Sequence, residues 1–110
     1  MKSNEEMELF FRELRKSGKA VIVEGKKDRA ALCRRGIKNI YSIDSKPLFA
    51  VIESVAKKEK DVLVLTDLDR EGKRIYSVLS SGLQGLGVRV DNYFREFLFR
   101  KTKIRQIEGV

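Results

Sequence analysis

Histidine is absent from this 110-residue chain, cysteine occurs once (Cys33) and proline once (Pro47). One cysteine excludes an intramolecular disulfide and any cysteine-based zinc site; without histidine as well, a bound cation must take oxygen ligands. No apolar run approaches the roughly 18 residues of a membrane span. The opening residues Met1 to Glu6 are polar and acidic with no apolar h-region, so no signal peptide is expected, and the expected location is the cytoplasm, with no membrane partner. At 12.7 kDa the length suits one domain over 1–110, with a core over about 19–91, an N-terminal helix at 4–17 and a C-terminal helical segment at 91–101.

Charge of one sign dominates. Lys and Arg number 24 against 16 Asp and Glu, a net +8. Such a surface attracts polyanions, above all nucleic acid. A charge-rich thermophilic composition, 36% charged with few Asn, Gln and Cys, is the blander explanation and is compatible with the first.

Val21-Ile22-Val23 and Val62-Leu63-Val64-Leu65 are short, uncharged, β-branched-rich runs, the pattern of strands buried on both faces of a parallel sheet. Around them the pattern alternates. Ser3 and Glu6 read as a capping box ahead of a helix whose face is Met7, Phe10, Phe11 and Leu14, ended by Gly18. After strand Ala20–Glu24 a helix over 27–35 should turn Ala30, Ala31 and Leu32 inward and stop at Gly36. A strand near 39–42 precedes a helix capped by Asp44 or Ser45, with Pro47 in its first turn and Leu48, Val51, Ile52 and Val55 inward. Strand Asp61–Thr66 leads to a helix with the stripe Ile75, Val78, Leu79, Leu83 and Leu86, whose end is loosened by Gly82, Gly85 and Gly87. A short strand Val88-Arg89-Val90 and a helix capped by Asp91, with Tyr93, Phe94, Phe97 and Leu98 inward, complete the chain. The order predicts an α/β fold: a three-layer α/β/α sandwich around a small, mainly parallel, four-stranded sheet.

Both apolar runs stop abruptly at acids, and in open α/β sheets ligands bind beyond the carboxyl ends of the strands. Asp67 and Asp69 alternate about Leu68 and can face one ion; Glu71 continues the alternation into the next helix. Magnesium, or manganese, suits such an oxygen set. Capping of the following helix needs only one of these acids. Glu24 stands at the same level, as general acid or base or as a further ligand, with Gly25 leaving backbone open to a ligand. Asp28, one helical turn on, is a candidate ligand or an ordinary helix-start acid. Lys26, Lys27, Arg70, Lys73 and Arg74 ring the acids and suit phosphate oxygens.

Glu24-Gly25 together with Thr66-Asp67-Leu68-Asp69-Arg70-Glu71-Gly72, in that order and spacing, resembles the Toprim domain of type IA topoisomerases, bacterial-type primases, ribosomal-RNA maturation nucleases and overcoming-lysogenization-defect nucleases. The resemblance covers roughly 19–91. The Asp-x-Asp-x-Glu-Gly segment is similar to the topoisomerase version, and Glu24 to Asp28 to the nuclease branch. It implies that Glu24 is the general acid or base and that Asp67, Asp69 and Glu71 hold magnesium. The chain departs from the larger members: 110 residues cannot supply topoisomerase gates with their tyrosine, nor a primase zinc module.

The expected function is therefore magnesium-dependent phosphoryl transfer on nucleic-acid phosphodiesters, nuclease-like, on DNA or RNA. The alternative is a non-catalytic metal- and nucleic-acid-binding module working with a partner protein. A metal-dependent signalling receiver fits the acids but not the basic remainder.

Overall fold

A computed structural model describes residues 2–110, with side chains from residue 5 onward. Helix α1 (Lys2–Ser17) leads into strand β1 (Ala20–Val23), and α2 (Lys26–Arg34) crosses to β2 (Ile40–Ser42). Helix α3 (Leu48–Lys58) returns to β3 (Asp61–Val64), and α4 (Arg70–Gly85) leads to β4 (Arg89–Asp91). Helix α5 (Tyr93–Lys101) and a 3-10 turn (Ile107–Gly109) follow. The four strands lie in the order β2-β1-β3-β4, every pair parallel, so the sheet is wholly rather than mainly parallel. Register pairs Val21 with Ile40 and Leu63, and Val62 with Val90.

Period-two alternation splits the strand side chains between two cores. Val21, Val23, Leu63 and Leu65 join Phe10, Phe11, Leu14, Leu32, Phe94, Leu98 and Phe99 on one face. Ala20, Ile22, Val62 and Val64 join Val51, Ile52, Val55, Ile75, Leu79 and Leu83 on the other. Helices therefore cover both faces, and the three-layer α/β/α sandwich expected from the sequence is what forms. Each fully buried Leu, Val or Phe is worth about 1.5–3 kcal/mol against exposure, which is why uncharged strands and one-sided helices persist together. Among the described residues no helix is long and apolar enough to cross a membrane.

Several local expectations need correction. Ala30, Val78, Leu86 and Tyr93 are exposed rather than inward: each lies at the flank of its helix's apolar stripe, and α5 buries Phe99 where Tyr93 was expected. Helix α3 begins after Pro47, with no side-chain cap. Asp44 instead sits in the left-handed region (φ 55°), where its carboxylate accepts a hydrogen bond from Ser42 Oγ at 2.9 Å. Asp91 does serve the start of α5, by accepting from the Tyr93 N–H at 2.6 Å. Gly82 does not loosen α4; the helix continues to Gly85, and Gly82 makes room for the Ile52 side chain of α3. Gly18 and Gly36 stop their helices at positive φ, as expected. For the capping box, the Ser3 side chain lies outside the described residues.

Candidate active site at the carboxyl edge of the sheet

The chain leaves β1 toward β2 on one side and β3 toward β4 on the other. The strand order therefore reverses between β1 and β3, and the crevice beyond their carboxyl ends is the topological switch point. Glu24 follows β1 directly and Asp67 lies three residues past β3. Their meeting is explicit: the Asp67 N–H donates to Glu24 Oε2 at 2.8 Å.

Each acid is anchored by a backbone amide. The Asp28 carboxylate, buried in the first turn of α2, accepts from the Gly25 N–H at 3.0 Å. Asp69 caps α4 by accepting from Gly72 N–H at 2.7 Å, and Asp67 Oδ1 accepts from Ile107 N–H at 2.8 Å. For Glu24, Asp67 and Asp69 these bonds use one carboxylate oxygen; among the described residues no side-chain hydrogen bond engages Glu24 Oε1, Asp67 Oδ2 or Asp69 Oδ2. None of the four acids forms a salt bridge among the described residues.

The electrostatics follow. Burial pushes the Glu24 carboxyl up from its ordinary value; the Asp67 N–H pulls it back, and the charges of Asp67, Asp69 and Asp28 add to the upward push. Burial likewise raises Asp28, against the pull of the Gly25 N–H and with repulsion from Asp67 and Glu108. Two protein groups thus hold their protons more tightly than free carboxylates do, at a cleft, which is the pattern of acid-base sites.

Glu71 is not brought in. It is exposed, and both of its oxygens accept from Arg74, at 3.0 and 2.8 Å, so the ligand set expected from Asp-x-Asp-x-Glu loses its third member to a surface ion pair. Arg74 is correspondingly engaged. Lys26, Lys27, Arg70 and Lys73 are exposed in the first turns of α2 and α4, at the same edge. Gly25 is extended (φ −148°), a conformation open to any residue, and its N–H is already taken by Asp28. Gly72 is the indispensable glycine: a Cβ there would overlap the Asp67 carbonyl. Among the described residues no three side chains of the ligating types are gathered tightly enough to hold a metal ion by themselves.

Two contributors escaped the sequence reading. Arg95 of α5, half-buried, donates through Nε to Thr66 O at 3.2 Å and through Nη2 to Asp67 O at 2.9 Å, with its guanidinium over the Tyr76 and Phe99 rings. The segment after α5 crosses the edge: Leu68 N–H donates to Arg105 O at 2.8 Å, Ile107 N–H holds Asp67, and Arg35 binds Val110 O at 2.8 and 3.1 Å. Ile104, Ile107 and Val110, three residues apart in a polar stretch, were the available signal.

No protein-family model matches the chain. A UPF0292 protein of Pyrococcus abyssi is 35% identical over 104 residues, covering 94% of this chain and 77% of that one. One from Thermococcus gammatolerans is 38% identical over 102 residues, covering 92% and 75%. The chain belongs to the UPF0292 family. A solved structure of a protein from Aquifex aeolicus superposes on this UPF0292 chain with a TM-score of 0.85 at 34% identity, over 92% of this chain and 94% of that one. The sandwich and its switch point are thus shared with that neighbour.

Proposed function

We propose that this UPF0292 protein is a Toprim-type, magnesium- or manganese-dependent phosphoryl-transfer enzyme acting on nucleic-acid phosphodiesters, in the manner of a nuclease. The observation that carries the reading is the set of four carboxylates, Glu24, Asp28, Asp67 and Asp69, assembled from two strand ends at the switch point without a salt-bridge partner among the described residues. An all-oxygen donor set with Asp67 Oδ2 and Asp69 Oδ2 unengaged fits a cation that takes one or two carboxylates and keeps its waters. Asp67 and Asp69 would hold it, with Glu71 left to Arg74. The bound ion would supply Lewis-acid polarisation of a phosphate oxygen and an activated water.

The protein's own part is proton handling and orientation. Glu24, fixed through Oε2 by the Asp67 amide, keeps Oε1 for a proton at the reacting phosphodiester, and its raised proton affinity suits that work near neutral pH. Asp28 stiffens the turn under Glu24 through the Gly25 amide. Lys26, Lys27, Arg70 and Lys73 offer cationic contacts to flanking phosphates.

The test is a cleavage screen over single- and double-stranded DNA and RNA with magnesium and with chelator. Cleavage by the parent should require the metal. Glu24→Gln should retain nucleic-acid binding and lower turnover by about 10²–10⁴, whereas Asp67→Asn/Asp69→Asn should lose the metal-dependent rise in melting temperature. Turnover unchanged in Glu24→Gln removes it from the mechanism. A second reading, a metal- and nucleic-acid-binding module acting with a partner protein, is favoured by the backbone-anchoring role each acid already has; binding without cleavage by the parent would select it.

A further inference from the structure

Helix α5 has a solvent face as well as a buried one. Tyr93 is 60% exposed, with its ring centroid 6.0 Å from that of half-buried Phe97, and one to two turns further along the same helix stand exposed Arg100 and Lys101. A shallow hollow runs between these four residues. Arg100 and Lys101 also line a larger groove of about 630 Å³ with Arg35 and Lys103, and that groove shares Ile104 and Gly109 with a third hollow that reaches Asp69 and Arg105. The depressions are thus continuous in their lining, from an aromatic platform through a basic stretch to the acidic edge. Two opposing charges lie beside the aromatic platform: Glu13 lines an adjoining hollow with Tyr93 and Phe97, and Glu96 pairs with Arg100 only at 3.8 Å between exposed side chains.

We propose that this track is the binding path of a single-stranded nucleic acid, with bases stacked on Tyr93 and Phe97 and phosphates on Arg100, Lys101 and Lys103, delivering a phosphodiester to the carboxylates at the sheet edge. This rests on the reading of that edge as a phosphodiester site. An exposed ring beside a half-buried one, followed by cations, is what an unpaired strand needs: every base has a face to stack, and each phosphate a charge to meet. A duplex hides its base faces and can use only the cations. An apolar protein partner would gain nothing from the three cations and would bury them at a cost.

The test measures binding of a labelled single-stranded oligonucleotide and of its duplex, in chelator, so that neither metal nor cleavage enters. The parent should prefer the single strand. Tyr93→Ala should weaken single-strand binding roughly 5- to 150-fold, leave duplex binding unchanged and leave the melting temperature near the parent's, since the ring is mostly in solvent; Tyr93→Phe should restore the affinity. Arg100→Ala/Lys101→Ala should flatten the log affinity against log salt slope by about 1.4, two phosphates' worth for a single strand. Equal affinity for the two forms with no effect of Tyr93→Ala overturns the path. Loss of binding that travels with loss of a dimer in sedimentation also overturns it, by assigning the aromatic patch to self-association. Metal-dependent cleavage of single strands that is indifferent to Tyr93→Ala would sink the path and leave the site standing; preferential binding without cleavage would do the reverse.

Discussion

The two edges of the sheet treat their acids oppositely. At the amino ends of β1 and β3 Lys19 sits 3.6 Å from Asp61 and 2.7 Å from Asp91, the last residue of the short β4, and Arg89 lies 3.6 Å from the other oxygen of Asp61. Hydrogen bonding to Asp91 and the two negative charges raise the Lys19 ammonium above its ordinary value despite some burial. At the carboxyl edge four acids meet without such a cation, and Glu24 and Asp28 are raised. Arg95, which is near enough to feel Glu24 and Asp67, spends its N–H groups on the Thr66 and Asp67 carbonyls, and burial pulls its pKa down. One edge holds its acids in salt bridges; at the other they are held by backbone amides, with Arg95 acting on them only at longer range. A fold tolerates such a cluster when something besides the fold has use for it.

The carboxyl edge is most sensitive at Gly72. Because α4 packs its first turn against the Asp67 carbonyl, Gly72→Ala should cost about 1–3 kcal/mol as an overpacked contact. It should displace the loop carrying Asp67 as well, so the rise in melting temperature with metal that the proposed site calls for should disappear along with stability. A variant that melts like the parent and still responds to metal would show that the loop is not clamped by this contact. A smaller loss is expected at the opposite edge. Lys19→Ala removes the cation between Asp61 and Asp91 and should lower stability by about 0.5–1 kcal/mol, read from denaturant midpoints, with no change in the response to metal.

The smallest effect has the opposite sign. The Glu24 carboxyl is raised in the fold above the ordinary 4.5. Its contribution to stability is therefore fully present below pH 4.5 and is lost as pH rises through the folded value. At neutral pH, without metal, Glu24→Gln should melt slightly above the parent, because Gln keeps an acceptor for the Asp67 N–H and sheds the charge. The gap should close as the pH is lowered toward 4.5. A Gln variant less stable than the parent at pH 7 would mean that the anion is well solvated after all and that the two edges do not differ in this way.

Much of this was legible because it is periodic. Val21-Ile22-Val23 and Val62-Leu63-Val64 are short, β-branched-rich and uncharged, the pattern of doubly buried strands, and the acids that end them mark the carboxyl edge without any tertiary information. Helix flanks were not legible: Ala30, Val78 and Leu86 satisfy the apolar spacing, yet how wide a stripe is covered depends on the neighbouring helix. Glu71 kept the alternation on paper, but Arg70 already begins α4. Past that point the period is 3.6 rather than 2, and the next residue on its face is Arg74. Arg95 read as one more surface arginine. The 102–110 segment offers only the spacing of Ile104, Ile107 and Val110, too short a pattern to place it, and its course is set by tertiary hydrogen bonds to Asp67, Leu68 and Arg35.

The hydrogen bond from the Asp67 amide to Glu24 joins residues 43 apart in the chain, across two crossover helices and two strands. No hairpin or other local fragment can hold these two acids together. Closing a loop of that length costs on the order of 3 kcal/mol in chain entropy before any contact repays it. The acidic cluster is thus a late product of folding, formed only once β1 has found β3, and contact order predicts slow assembly for such a topology. Nascent or partly folded chains carry the same basic residues without the finished cleft, so under the proposed function adhesion to nucleic acid would precede action on it.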